Sequence, residues 1–410
     1  MDREFDVIVW GATGFTGRLV AEYICQTYGV NKSLSWTIAG RSLSKLQLIK
    51  EKLQQIDPLS ESLELILADS FDEVKLREMV SRTKVICSTV GPYLEYGSAL
   101  VSMCVEEQTD YCDLTGETPF VRAMIDKHHD VAKEKKIKIV HSCGYDSIPS
   151  DLGVLFLQQE MLKKHGEYAS EIRFYTGPTK GGLSGGTLAS MAGLLSQAVE
   201  DRNIRKILGN PYSLNPKDGY KGNDKRDQTT IKFDRKANKW TAPFMMAGTN
   251  TRIVRRSHAL QAYEYGEKFL YSEVMGFPKG FRGWRKSFMV ATILGIVIAL
   301  MLRPTSRKLL QRYVLPKQGE GPNKRDRESG YFTVDLLAIQ EGKEVWARVY
   351  DNLDPGYGST SKMLAESAVA LALQSEQLPQ QYGIVTPAVA LGMPLVERLK
   401  SAGMEFSITR

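Results

Sequence analysis

Short apolar runs separated by amphipathic stretches fill the first 150 residues. Residues 7–9 (Val-Ile-Val), 36–39, 63–68, 84–90, 110–114 and 137–142 read as strands, and a helical pattern occupies 119–136. Runs such as 84–90 (KVICSTV) are apolar on successive positions rather than alternate ones, which is the mark of a strand covered on both faces. Strands of this kind alternating with helices predict an α/β fold with a doubly wound, mostly parallel sheet over residues 1–150. The alternation then stops. Residues 143–153 (CGYDSIPSDLG) open a long helix, with Pro149 placed to start it and Ser147 or Ser150 available as caps. A strand at 172–176 and a helix at 188–199 follow, then a polar excursion at 210–240 and a mixed stretch at 241–275. Alternating positions at 331–339 and 345–350 predict two antiparallel strands, and after the turn signal at 354–357 a helix covers 362–373.

One run breaks this globular texture. Residues 288–302 (FMVATILGIVIALML) hold no charge and are flanked by Arg285 and Lys286 before and by Arg303, Arg307 and Lys308 after. At about 1.5 Å per residue the run reaches about 22 Å, short of the roughly 30 Å hydrocarbon core of a bilayer. It therefore reads either as an interfacial or partly inserted helix that snorkels its flanking charges, or as a wholly buried core helix or dimer interface.

The chemistry begins where the first strand ends. Gly11, Gly14 and Gly17 in WGATGFTG follow the apolar run 7–9 and lead into a helix. The first glycine permits a tight turn, the second lets backbone N–H groups approach a pyrophosphate, and the third allows close helix packing. With Thr13, Phe15 and Thr16 they form a candidate dinucleotide-phosphate cradle at a helix N-terminus, where orphan donors and the dipole favour an anion. The spacing is GxxGxxG rather than GxGxxG, so the strand–turn–helix context carries the reading. After the second strand an NAD-selective site carries an acidic residue, whereas this chain has Arg41 and Ser42. A guanidinium fork and a hydroxyl suit a 2′-phosphate, so NADP is expected over NAD. Asp69 either accepts from the adenine amino group or caps the next helix. Thr89 and Gly91, with Val90, Pro92 and Tyr93, are expected on the nicotinamide side, at the carboxyl end of a parallel strand. Lys180 to Thr187, rich in glycine, either lines a ligand cleft or forms a turn.

Composition narrows the classes. At 410 residues the chain predicts two domains, and 42% hydrophobic with 25% charged residues is ordinary for a globular protein. A net charge of +7, from 54 basic and 47 acidic residues, is too mild and scattered to support nucleic-acid binding. Arg252, Arg255 and Arg256 form a small basic cluster read as a solvated face. Five cysteines in no metal-ligand spacing are expected to be reduced and mostly buried, and no metal site is expected. With a strand already by residue 5, no cleaved leader is expected, and the odd cysteine count then points to the cytosolic side or another reducing compartment, with a soluble cytoplasmic protein as the alternative to a membrane-associated one.

GATGFTG at 11–17, AGRS at 39–42, VGPY at 90–93, DLTGE at 113–117, GYDSIPSDLG at 144–153 and TPAVALG at 386–392 together cover most of the chain. In these blocks and their order the chain resembles the saccharopine dehydrogenase-like oxidoreductases, a family that includes bacterial trans-acting enoyl reductases. The resemblance implies a Rossmann domain over 1–150, a second α+β domain with a mixed or antiparallel sheet over 151–375, and a segment 376–410 packing back towards the first. It implies a nicotinamide cofactor and, for members with a central apolar stretch such as 288–302, association with lipid droplets or other membranes. It names no substrate. No YxxxK follows a strand where a short-chain dehydrogenase would carry it, and Tyr93, Tyr145 and Asp146 are the candidate proton donors or acceptors. The expectation is an NADP-dependent oxidoreductase acting on a lipid-like or otherwise apolar C=C, C=O or C=N compound at a membrane surface, with a homodimer as a further possibility. A lysine-pathway reductase and a nucleotide-binding scaffold without turnover are the alternatives.

Overall fold

The computed structural model describes residues 3–181, 185–313, 321 and 324–410. Its strands are β1 (Phe5–Trp10), β2 (Trp36–Gly40), β3 (Leu65–Leu67), β4 (Thr83–Ser88), β5 (Asp110–Asp113), β6 (Lys138–Val140), β7 (Glu171–Lys180), β8 (Lys232–Asp234), β9 (Lys239–Pro243), β10 (Leu270–Phe277), β11 (Tyr331–Gln340), β12 (Lys343–Asp351), β13 (Gly383–Val385) and β14 (Glu405–Ile408). They build two sheets.

The first sheet runs β13-β6-β5-β4-β1-β2-β3, with every neighbouring pair parallel. Strand β1 shows why its run 7–10 is apolar on successive positions: Val7 and Val9 pack into one core cluster, while Ile8 and Trp10 pack into the cluster on the opposite face. Each such side chain contributes about 1.5–3 kcal/mol when fully buried, so both faces must be covered. The chain winds outward from β1 through β2 and β3, then returns to β4 and winds the other way. The reversal places a crevice at the carboxyl ends of β1 and β4, where open α/β sheets bind their ligands.

The second sheet runs β14-β12-β11-β7-β10-β9-β8 and is mixed: β7 and β10 are parallel and the remaining pairs antiparallel. The helix Ile148–His165 packs on β11 and β12 and also against the helices Ala247–Leu260 and Gly392–Ser401. Its start is as expected, with Pro149 in the first turn, but Ser147 makes no side-chain cap; its hydroxyl donates to Asn250 instead, 3.0 Å away.

Two stretches sit differently from the sequence expectation. The helix Thr360–Leu373, expected with the second unit, covers the first sheet, packing on β1, β4, β5 and the helix Phe15–Tyr28. Of the last residues, β13 extends the first sheet while β14 joins the second. The polar excursion 210–240 contains β8 and the first residues of β9; β8 is an edge strand with an exposed Phe233, so it carries no apolar period. Residues 182–184 of the glycine-rich passage lie outside the described residues, and a helix begins at Gly185. All five cysteines are free and buried.

Candidate active site

The crevice at the ends of β1 and β4 opens into a cavity of about 690 Å³ that reaches across to the second sheet. At its first end the backbone turns after Trp10. Gly11 has φ +88°, and a Cβ there would lie 2.6 Å from Val90 and 2.8 Å from the Thr89 hydroxyl. A Cβ on Gly17 would lie 2.3 Å from the Gly11 carbonyl oxygen, so the third glycine lets the helix Phe15–Tyr28 close on the turn. Gly14 is different. It stands at the helix N-cap, and its nearest neighbour to an added Cβ is the Gly11 oxygen at 3.3 Å. Two glycines are thus needed for packing and one leaves the helix mouth bare, which is the division of labour an anion cradle requires.

Gly11, Thr13, Gly14, Phe15 and Thr16 line the cavity, as do Arg41, Asp69, Thr89 and Gly91; Gly17 and Ser42 do not. Ser42 stands at the N-cap of the helix Leu43–Gln54 with its hydroxyl 3.2 Å from that of Ser44. Arg41 is exposed and, among the described residues, makes no hydrogen bond or ion pair. A guanidinium left free at the end of β2 has its full set of donors available for an anion. Asp69 accepts from the backbone N–H of Phe71 at 3.0 Å, and the cap of the next helix, Glu73–Ser81, is Asp72. Thr89 donates to the carbonyls of Trp10 and Gly11, pinning the end of β4 to the turn. The buried indole N–H of Trp10 on the same wall has no partner among the described residues.

The centre of the cavity is built by three loops. Asp113, at the end of β5, is buried and accepts from Tyr111, from His141 Nδ1 at 2.7 Å, and from the backbone N–H groups of Thr115 and Ser142. This staple fixes the loop that presents Glu117. Glu117 is itself buried and accepts from the N–H groups of Tyr93 (3.0 Å) and Leu94 (2.9 Å) and from the Ser190 hydroxyl (2.8 Å). It thereby ties the loop that follows β4 to the helix Gly185–Glu200 beyond it. Burial raises its pKa against the pull of those donors.

The candidate proton carriers separate here. Tyr93 is buried, and its hydroxyl donates to the Ser88 carbonyl; burial pushes its pKa well above the usual tyrosine value. Tyr145 is off the cavity: its ring packs edge-on against Phe332, 4.8 Å between centroids, and burial raises its pKa too. Asp146 lines the cavity, close to Gly116 and Gly144, and its carboxyl is pushed up to about 7, first by desolvation and then by the nearby charge of Asp113. A carboxyl poised near neutrality in a cleft can both hold and release a proton.

Beyond Asp146 the wall turns apolar. Met191, Leu194 and Leu195 face Phe244, Met246 and the helix Phe281–Met301. Among the described residues the cationic side chain on this side is Arg252, and the solvated face expected for the basic cluster is replaced by burial. Arg252 pairs with Asp227, Arg255 pairs with Asp224 at 3.0 Å, and Arg256 donates to the carbonyls of Leu214 and Ile384. The acids come from the polar excursion 210–240, far away in sequence, so the cluster's spacing alone gave no sign of them. Glu117, Ser190 and Arg252 are among the cavity residues that sequence reasoning did not assign to the site; Glu117 was within reach, as the last residue of the DLTGE block. No cluster of metal-ligating side chains occurs among the described residues.

Fold and site together define a dinucleotide-dependent α/β oxidoreductase. Residues 7–140 match the saccharopine dehydrogenase NADP-binding domain. Over its full length the chain is 34% identical to a trans-acting enoyl reductase of Mycobacterium bovis, strain BCG, covering 99% of that protein, and 36% identical to one of Mycobacterium ulcerans, covering 98%. A Mycobacterium tuberculosis protein named for the same activity is 37% identical, again with 98% covered. The apo saccharopine dehydrogenase (L-Glu forming) of Saccharomyces cerevisiae shares the fold, with a TM-score of 0.53 over 98% of this chain and 99% of that one at 12% identity. The chain belongs to the saccharopine dehydrogenase-like oxidoreductase family, and its cofactor is NADP.

Proposed function

We propose that this protein is an NADPH-dependent reductase of an apolar, lipid-like molecule and that it works at a lipid–water surface. One observation carries the reading: a single cavity runs from the glycine cradle, past a carboxyl poised near neutrality, into an arm walled by methionine, leucine and phenylalanine. The cradle residues Gly11, Thr13, Gly14, Phe15 and Thr16 hold the pyrophosphate, Arg41 takes the 2′-phosphate, Asp69 faces the adenosine, and Thr89 and Gly91 flank the nicotinamide. When bound, NADPH supplies the hydride. Asp146 holds the proton that completes the reduction, Glu117 keeps the Tyr93 loop and the Ser190 helix in register, and the apolar wall excludes water. The names of the mycobacterial relatives favour C=C over C=O or C=N as the bond reduced.

A dicarboxylic amino acid fits this arm poorly. Its recognition needs several free cations, and the arm offers Arg252, already paired with Asp227.

The helix Phe281–Met301 supports the surface reading. It is long and apolar enough to cross a membrane by length and composition, yet only 11% of its most apolar window is buried. A wholly buried core helix is therefore replaced by one with an open face: Phe288, Met289, Ile293 and Ile296 are each more than half exposed. Phe281, Trp284 and Phe288 stack in a row at its start, beside Arg282, Arg285 and Lys286, an aromatic and basic edge suited to the headgroup level. Since the inner face walls the cavity, the helix lies along the surface rather than through it.

The test is a titration of the full chain with NADPH and NADH, followed by NADPH oxidation with enoyl esters, aldehydes and imines in the presence of phospholipid vesicles. Tight NADPH binding with turnover of an apolar enoyl compound is expected. Binding without turnover across the panel would leave a nucleotide-binding scaffold, and no binding would remove the reading.

A further inference from the structure

The cavity-lining stripe of the helix Phe281–Met301 is Ala291, Leu294, Gly295 and Ile298, a helical i, i+3, i+4, i+7 set in which Ala291 and Leu294 are half-buried and Gly295 and Ile298 are also open to solvent. Gly295 is the anomaly in it. A glycine in the middle of a helix is destabilising relative to alanine, and in apolar helices it is commonly retained where a neighbouring helix needs to approach. Here no neighbour approaches: a Cβ added to Gly295 would meet nothing within 4 Å. The missing side chain leaves room along the cavity wall. Across that room stand Met191, Leu194 and Leu195 of the helix Gly185–Glu200, of which methionine adapts most easily to a flexible occupant.

We infer that a hydrocarbon chain lies between the helices Gly185–Glu200 and Phe281–Met301, and that Gly295 is the position that determines how long a chain is accepted. The inference rests on the reading of an apolar substrate and adds its class, a long-chain acyl or alkyl compound with its reactive group towards Asp146. The glycine tolerates a chain running past it along the helix, whereas a side chain there closes the arm at that level.

The experiment uses the full-length protein and the variants Gly295→Leu and Gly295→Phe. Gly193→Leu is the control: that glycine is on the facing helix, is off the cavity wall, and is equally free of contacts. Binding is read by displacement of 1-anilinonaphthalene-8-sulfonate with a series of primary alcohols from hexanol to octadecanol, with and without NADPH. In the wild type affinity should climb with chain length to a plateau. Gly295→Leu should bring the plateau to shorter alcohols, Gly295→Phe shorter still, with about a tenfold loss for every two methylenes excluded, while hexanol and the Gly193→Leu control stay at wild-type values. An unchanged length profile in both Gly295 variants, or an equal loss at every length, would overturn the inference even with NADPH turnover intact. A shortened profile in a protein that never oxidises NADPH would uphold it and remove the reductase reading instead.

Discussion

The two ends of the cavity are built on opposite plans. At the cradle, backbone meets backbone at distances that leave no tolerance: Gly17 sits where a Cβ would be 2.3 Å from the Gly11 oxygen. At the arm, mostly apolar side chains and the Arg252–Asp227 pair face an open space, and nothing comes within 4 Å of the position where Gly295 lacks a Cβ. A cradle built this way suits selection of one ligand by shape, and an arm built this way suits selection of a class by solvation. A cofactor common to every turnover suits the first plan, and an apolar substrate suits the second.

The largest effect is expected between the two ends. Asp146→Asn should lower turnover by about 10²–10⁴ and leave the NADPH dissociation constant unchanged, as measured by fluorescence titration beside steady-state rates. Its pH dependence has a definite sign. The carboxyl, at about 7, holds its proton below that value, so the wild-type rate should fall as pH rises through about 7, and the residual rate of the variant should not follow that curve. Folding stability runs the same way. Asp151 and Glu273, buried carboxyls also raised to about 7 by desolvation, keep protons that the unfolded chain releases at its ordinary, lower pKa. Their contribution is complete below the unfolded pKa and is lost as pH rises through about 7. Glu273→Gln should flatten the thermal-melting profile without altering the pH profile of the rate, which separates the two dependences.

Next in size is the cradle. Gly17→Ala forces a backbone shift, and overpacking of this kind costs about 1–3 kcal/mol, roughly five- to 150-fold in NADPH affinity. Gly14→Ala, whose added atom meets one oxygen at 3.3 Å, should lose less. Equal losses in the two would break the distinction between packing and open glycines. Arg41→Ala should cost about tenfold in NADPH affinity and leave NADH binding as it was, so that the ratio of the two constants, read by calorimetry, reports the 2′-phosphate contact alone.

These differences in construction also decide what could be read along the chain. The cradle was legible because its sterics act over seven consecutive residues, 11–17, and the parallel strands were legible because burial on both faces leaves unbroken apolar runs. Glu117, Ser190 and Arg252 act through partners far away in the chain, and Asp227 comes from a stretch with no apolar period at all. Tyr145 and Asp146 are neighbours in one block, and only the fold shows that the first packs against Phe332 while the second faces the cavity. Three-residue β13 has too few positions to show a period, yet it closes the edge of the first sheet beside β6. The apolar run 288–302 stood out by composition, but its two faces, one on the cavity and one outward, exist only once the cavity does.

The smallest effect per residue is expected on that outward face. Ile293 and Ile296 are each 53% exposed and absent from the cavity wall. Replacing each with lysine removes about 1 kcal/mol of apolar transfer, roughly fivefold in vesicle affinity per position. In a flotation assay with neutral phosphatidylcholine vesicles, the double variant should therefore stay with the soluble fraction where the wild type rises with lipid. NADPH affinity should not change, because the cradle lies at the other end of the cavity. Neutral lipid matters to the design: on anionic vesicles the added lysines would gain electrostatic attraction and mask the loss. Undiminished flotation of the double variant would show that the exposed apolar face is not what meets the lipid, and the arm would then have to be filled from water.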